Sequence, residues 1–300
     1  MPLRIGITLG DPAGVGPEII GTALASQKLP RDVDCKVIGD VRNAVAGTPT
    51  ADSARIALAA MEEAVALAIS GEIDAIATGP IHKARMAEIG FAFPGQTEFF
   101  AARSGTINYA MLLTGGMITV ALVTAHVPFR DVPELLKTSE IVRVGKLLDN
   151  FLRRRGIAQP GIAVAGLNPH AGESGKLGHE ELAIIAPAIT ELNHQPSTIN
   201  YQPSYFDGPI SPDTLFFYLA NRKWDAALCM YHDQGLIPLK LHAFHSGVNV
   251  TLGLPFPRTS PDHGTAFDIA GKGIACPDSM IAAINLAVEL AKTKNRTALV

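Results

Sequence analysis

Five times along this chain, a short run of apolar and β-branched side chains stops at a polar turn. The runs are Arg4 to Leu9, Asp74 to Thr78, Met117 to Thr124, Ile162 to Leu167 and Asp225 to Tyr231. They end at Gly10-Asp11-Pro12, Gly79-Pro80, Ala125-His126, Asn168-Pro169-His170 and His232-Asp233-Gln234-Gly235. Helical patterns lie between them: Glu18 to Ala25, Ala54 to Ile69 closed by Gly71, Pro133 to Arg155 as one or two helices, and His179 to Leu192. Two more follow Ser211-Pro212 and Ser279, with Ser211 and Ser279 expected as N-caps. Strands alternating with helices predict an α/β fold with a mixed or parallel sheet between helical layers. In such sheets ligands gather beyond the carboxyl ends of the strands, where the polar turns stand.

Three hundred residues exceed what one hydrophobic core usually carries, so one large unit or two lobes around a cleft is expected. The boundaries expected are about 1–95 with 246–300 for one lobe and about 96–245 for the other. With 47% hydrophobic and 18% charged residues, the chain has enough apolar surface to exclude intrinsic disorder. Lys plus Arg number 25 against 28 Asp plus Glu, and the only basic run is Arg153-Arg154-Arg155, so nucleic acid is not an expected partner. Cys35, Cys229 and Cys276 are odd in number and lack CxxC spacing, which fits a reducing cytoplasm rather than a disulfide framework. The early Gly10-Asp11-Pro12 break leaves no room for an apolar signal core, so export is not expected. Ser104 to Phe129 carries no Asp, Glu, Lys or Arg, but Gly115-Gly116 divides it into two β-rich halves. It reads as a buried hairpin and not as a membrane span.

His126, His170 and His232 each stand just beyond a predicted strand. Neutral imidazole suits a borderline divalent ion, and three ligands leave positions open for substrate. Spacings of 44 and 62 residues match no local metal motif, so ordinary loop histidines are the competing reading. Gly10 to Gly16 offers backbone N–H groups to a phosphate or forms a plain structural turn; it is neither GxGxxG nor a P-loop. Lys240, Asn249 and Arg258 flank the His232 loop and suit an anion, against the plainer expectation that lone cations lie on the surface. Gln96, Thr97 and Glu98 either face a cleft or cap the helix starting near Phe99. Lys83 is a candidate cation or proton-transfer group.

Taken together, the motifs resemble the 4-hydroxythreonine-4-phosphate dehydrogenase family of vitamin B6 biosynthesis. The matching blocks run from Gly10-Asp-Pro-Ala-Gly-Val-Gly-Pro-Glu18 through Gly79-Pro-Ile-His-Lys83, Thr97-Glu-Phe-Phe100 and His126-Val-Pro-Phe-Arg-Asp131. They continue with Leu167-Asn-Pro-His-Ala-Gly-Glu173, Tyr231-His-Asp-Gln-Gly235 and Gly247 to Phe256. The resemblance implies a two-lobed fold like isocitrate and isopropylmalate dehydrogenases, and His126, His170 and His232 as ligands of one divalent ion (Zn, Mg, Mn or Co). It implies Gln96, Thr97, Lys240, Asn249 and Arg258 as substrate contacts and Lys83 or Asp233 as proton-transfer candidates. It also implies a homodimer in which one metal histidine comes from the partner chain.

Asp262 to Ala275 resembles the adenosine-side loop of those decarboxylating dehydrogenases. That likeness implies NAD, with NADP as the alternative, held by His263, Gly264, Thr265 and Asp268, with Asp11 or Gly14 beside the nicotinamide. The implied reaction is oxidation and decarboxylation of 4-phosphohydroxy-L-threonine to 3-amino-2-oxopropyl phosphate and CO2. Family enzymes commonly carry histidine where this chain has Gln96, and the chain is short near Gly47 to Ala51. Those departures keep open the related oxidation of 4-phospho-D-threonate or 4-phospho-D-erythronate in sugar-acid catabolism. An aromatic dihydrodiol dicarboxylate suits Lys240 and Arg258 less well than a phosphate does. A non-catalytic nucleotide-binding homologue would be marked by a broken histidine triad, and here all three are present.

Overall fold

The computed structural model describes residues 2–194 and 203–297. The chain forms two compact units, one from the residues up to Ile107 together with those from His245 onward, the other Asn108–Phe244. The first opens with β1 (Leu3–Thr8), α1 (Gly16–Ala25), β2 (Val33–Ile38), α2 (Ala51–Ser70), β3 (Ala75–Thr78), α3 (Lys83–Glu88) and α4 (Gln96–Arg103). The second contains β4 (Ala110–Gly115), β5 (Ile118–Leu122), α5 (Val132–Leu135), α6 (Thr138–Arg154) and β6 (Gly161–Ala165). It continues with α7 (Ala186–Asn193), β7 (Tyr205–Ile210), α8 (Pro212–Ala220), β8 (Ala226–Cys229) and α9 (His232–Ala243). The chain then returns to the first unit with β9 (Val248–Leu252), β10 (Arg258–Pro261) and α10 (Asp278–Thr297).

In the first unit the strand order is β2-β1-β3-β10-β9, parallel except for the antiparallel β10–β9 pair. Ile5, Ile7, Ile19, Ile20, Met280 and Ile284 form its core. Each such side chain contributes on the order of 1.5–3 kcal/mol by leaving water. The second unit runs β4-β5-β8-β6-β7 with an antiparallel β4–β5 hairpin, and its core gathers Leu113, Val120, Leu122, Leu215, Trp224 and Leu239. The expected mixed sheets and the hairpin are both present, but the two-residue turn is Gly116-Met117, one residue later than expected, because Gly115 still pairs with Ile118. No helix among the described residues is long and apolar enough to cross a membrane. All three cysteines are free.

Local chemistry explains the element ends. Thr50 and Ser53 form a reciprocal capping box at the start of α2, and Gly71 ends it at φ 78°, a conformation other residues resist. Gly16 begins α1 where a Cβ would collide with the Leu9 carbonyl oxygen, so only glycine lets the helix start that close to β1.

Several elements escape the hydrophobic pattern. α9 contains Gly235 and Pro238, both helix breakers by propensity, so the His232 stretch reads as a loop although His232 is the first residue of a helix. β9 and β10 carry Asn249, Thr251, Arg258, Thr259 and Ser260, too polar to read as strands. The first unit also extends to Ile107, beyond the boundary expected near residue 95, because Phe99 and Phe100 on α4 are fully buried. Gln96, Thr97 and Glu98 form the first turn of α4 and do not cap it; Gly95 is the N-cap and provides no side-chain acceptor. Ser279 lies inside α10, and its hydroxyl donates to the Gly247 carbonyl. Ser211 occupies its N-cap position without a side-chain bond to the helix.

Candidate active site

Strand register builds a polar wall in the first unit. Ser260 lies opposite Asn249, and Arg258 aligns with Ile76 of β3, so Asn249, Thr251, Arg258, Ser260, Thr78 and Thr8 share one face of the sheet. Arg258 is 2% exposed, which overturns the expectation of a surface cation. Its Nη2 donates to Thr78 Oγ1 at 2.5 Å and Gln96 Oε1 at 3.0 Å, and Nη1 donates to Thr251 Oγ1 at 3.3 Å. The Phe100 ring lies against the guanidinium, 5.4 Å from its carbon. Among the described residues no carboxylate is hydrogen-bonded to Arg258. Burial pulls its pKa down to about 9, while the Glu98 carboxylate pushes it back up, so it keeps its charge at neutral pH. A buried guanidinium held only by neutral groups is a place for an anion.

Six buried side-chain atoms among the described residues lack a hydrogen-bond partner: Thr8 Oγ1, Asp11 Oδ2, His82 Nδ1, Glu98 Oε2, Asn249 Oδ1 and Arg258 Nε. All belong to the first unit. Buried polar groups are nearly always paired, so this concentration marks a surface prepared for a polar ligand. Thr97 is 5% exposed and lies beside the Thr251 hydroxyl.

The Gly10 to Gly16 loop is a structural turn. The N–H groups of Asp11, Ala13, Gly14 and Val15 donate to Pro80 O, Asp11 Oδ1, Asp11 O and Thr265 O, leaving none of these four for a phosphate. The turn therefore joins loops 79–83 and 263–268, and the His82 and Phe267 rings meet edge to face at 5.1 Å. Glu18 accepts from the N–H groups of Gly271 and Ala275, fastening the 271–275 segment to α1. Thr265 is buried, whereas His263, Gly264 and Asp268 in the same loop are exposed. Glu98, expected either to face a cleft or to cap α4, has a buried Oε2 without a partner; His82 was not singled out from sequence, since a histidine in Gly79-Pro-Ile-His-Lys83 carries no spacing signal of its own. Lys83, at the start of α3, is exposed.

In the second unit, His126 and His232 stand with ring centroids 5.6 Å apart. They line a cavity of about 290 Å³ with Thr124, Phe129, Tyr231 and Asp233. His232 Nδ1 lies 2.6 Å from Asp233 Oδ1. A carboxylate only accepts, so Nδ1 is the donor, and in the neutral ring the lone pair is then on Nε2, the usual arrangement behind a metal-binding histidine. Gln234, unremarked in the sequence, bonds Met230 N and Gly166 O and ties the ends of β8 and β6 together beneath the pair. His170 lies on an exposed turn, and no three His, Cys, Asp or Glu side chains among the described residues converge as a metal site. Lys240 is half-buried on α9, its ammonium 5.8 Å from the centre of the Phe244 ring.

Comparison with known proteins places this geometry in a lineage. A 4-hydroxythreonine-4-phosphate dehydrogenase of Desulforapulum autotrophicum is 42% identical over 94% of each chain. The crystal structure of the protein of that name from Klebsiella pneumoniae superposes with a TM-score of 0.79 at 37% identity, covering 97% of this chain and 100% of the other. Isocitrate dehydrogenase of Methylococcus capsulatus shares the fold alone, at 16% identity and TM-score 0.51, covering 99% of this chain and 89% of its own. Residues 18–287 match the family described as pyridoxal phosphate biosynthetic protein PdxA, and the chain belongs to that family.

Proposed function

We propose that this chain is an NAD-dependent, divalent-metal-dependent dehydrogenase that oxidises and decarboxylates 4-phosphohydroxy-L-threonine to 3-amino-2-oxopropyl phosphate and CO2. The observation that carries the reading is Arg258, a buried guanidinium with no bonded carboxylate, in a member of a family whose named relatives act on a phosphorylated hydroxy-amino acid. Arg258, with Thr97, Asn249 and Lys240, grips the substrate's phosphate and carboxylate. The loops at Asp11 and Gly14 and at His263 to Asp268 take the dinucleotide.

His126 and His232 fit a divalent ion, because Asp233 fixes the His232 ring with Nε2 free. His170 is the third ligand, reaching the pair from a second copy of the chain. The bound ion supplies Lewis-acid polarisation of the reacting hydroxyl and carbonyl, and the nicotinamide supplies the hydride acceptor. Asp233 acts by orienting His232, which leaves Lys83 as the candidate for proton transfer. A homodimer is supported by an apolar stripe on α9, where Ile237, Leu241 and Phe244 are 66%, 89% and 69% exposed at helical spacing.

Two measurements test the reading. NADH formation is followed with 4-phosphohydroxythreonine, 4-phosphothreonate and 4-phosphoerythronate side by side, with and without added metal. The first substrate should give the highest kcat/KM; a preference for either of the others moves the chain to sugar-acid catabolism, and no turnover with any leaves a nucleotide-binding homologue. Mixing inactive His170→Ala and His126→Ala proteins should restore activity, since a mixed dimer holds one complete ligand set. Failure of properly folded mixtures to recover activity would remove the shared site.

A further inference from the structure

We propose that Gln96 is a positioning residue that orients Arg258 for anion recognition. The proposal rests on the reading that Arg258 takes the substrate's phosphate. Both ends of the Gln96 amide are already committed: Nε2 donates to the Gly79 carbonyl at 3.0 Å and Oε1 accepts from Arg258 Nη2 at 3.0 Å. The amide orientation is unambiguous, because a carbonyl only accepts and a guanidinium only donates. Gln96 therefore spans from the end of β3 to β10.

The consequence falls on the guanidinium. Thr78 and Gln96 occupy Nη2 and Thr251 takes Nη1, so the plane of the group is fixed at three points. The Nε–H is the buried donor left without a partner. Each holding group is neutral, and the carboxylate of Glu98 acts on Arg258 through its charge and not through a hydrogen bond, so the cation stays available to an incoming oxyanion. An anionic side chain at position 96 would hold Nη2 more tightly but cancel the charge. An aliphatic one would remove one of the two bonds at Nη2 and the bond to the Gly79 carbonyl, leaving Thr78 alone on Nη2 and letting the guanidinium turn.

The test uses the full-length protein and inorganic phosphate as the probe, so it does not depend on turnover. Gln96→Ala should weaken phosphate binding about tenfold, the usual effect of losing one hydrogen bond to a charged group, and Gln96→Glu should weaken it further. With the preferred substrate the same loss should appear in KM, while kcat stays within about twofold, as expected for a residue that acts on ground-state and transition-state binding alike.

The deciding measurement is a double-mutant cycle. If Gln96 works through Arg258, Gln96→Ala should cost less than about twofold in an Arg258→Lys background, because the partner it orients is gone. Thr78→Ala, which loosens the same Nη2 atom without removing the charge, provides a second background should Arg258→Lys fail to fold; there too the Gln96 effect should be far from additive. Equal losses from Gln96→Ala in wild type and in either background would make Gln96 an independent contact and overturn the proposal. So would unchanged phosphate affinity in Gln96→Ala, or wild-type protein that does not bind phosphate.

Discussion

Replacing Glu181 tests how the loop bearing His170 is held. Glu181 is 2% exposed; its Oε1 accepts from the N–H groups of Leu167 and Asn168, each at 2.7 Å, and its Oε2 accepts from Asn168 Nδ2 at 2.9 Å. The loop it anchors carries His170, Ala171, Glu173 and Ser174 at φ values of 51°, 49°, 44° and 56°, all left-handed. At roughly 1–2 kcal/mol for each non-glycine residue, about 4–8 kcal/mol of backbone strain is held in place by contacts of this kind. In Glu181→Gln one amide oxygen still faces the two backbone N–H groups, but the new NH2 meets the Asn168 NH2, donor against donor. Two charge-assisted bonds weaken by about 1 kcal/mol each and the third is lost, giving a total near 4 kcal/mol. Strained loops open before their domain unfolds, so the loss should appear first as amide exchange at residues 167–175 about a thousandfold faster than wild type. Hydrogen exchange with mass spectrometry at peptide resolution reads this directly. Exchange within about tenfold of wild type would refute the argument, because the strain would then be held by something other than Glu181.

Three further outcomes follow from the same geometry. Gln234→Ala should cost about 4 kcal/mol in denaturant unfolding, since it leaves the buried Met230 N–H and Gly166 carbonyl unpaired. Gly71→Ala should cost only about 1 kcal/mol, because its Cβ would enter open space and only the left-handed φ resists it, whereas Gly16→Ala should cost about 3 kcal/mol or more through collision with Leu9; thermal melts of the pair separate strain from overlap. If the proposed homodimer packs through α9, Leu241→Asp should give a monomer in analytical ultracentrifugation while leaving the secondary structure intact, since the side chain is 89% exposed. A dimer that survives the charge would place the interface elsewhere.

What the sequence disclosed depended on how local its cause was. The strand end at Thr78 and the Gly71 helix stop follow from periodicity and from the backbone freedom of single residues and are where the pattern puts them, while the first strand ends one residue before Leu9 and the hairpin turn falls one residue after Gly115. Arg258 is the opposite case. Its burial is made by Thr78 and Gln96, 180 and 162 residues away, and by Thr251 across a short antiparallel pair too polar to read as strands. No window around Pro257-Arg258-Thr259 contains that information. Glu181 was equally silent, since one carboxylate among Glu180 and Glu181 at a helix start usually lies on the surface. Only the return of the chain after β6 places its oxygens on Leu167 and Asn168.

The resemblance assigned ligand contacts by position, and the geometry redistributes the work among them. Had the Gly10 to Gly16 turn kept its N–H groups open, a bare phosphate would satisfy it, but four of them already serve Pro80, Asp11 and Thr265. The unsatisfied atoms of the first unit are side-chain atoms of mixed sense. Asp11 Oδ2, Glu98 Oε2 and Asn249 Oδ1 require a donor, and Arg258 Nε requires an acceptor. A fully ionised inorganic anion can answer only the last of these, and inorganic phosphate brings at most one or two P–OH donors for the rest. A ligand that brings hydroxyl, amine or amide protons along with its negative charge can answer both kinds, which describes a phosphorylated hydroxy-amino acid and the ribose and carboxamide of a nicotinamide dinucleotide. Removing an acceptor should therefore discriminate among ligands: Asn249→Ala should weaken the full substrate much more than inorganic phosphate, and equal weakening of both would refute the argument by placing Asn249 on the shared phosphate rather than on a proton that only the substrate brings.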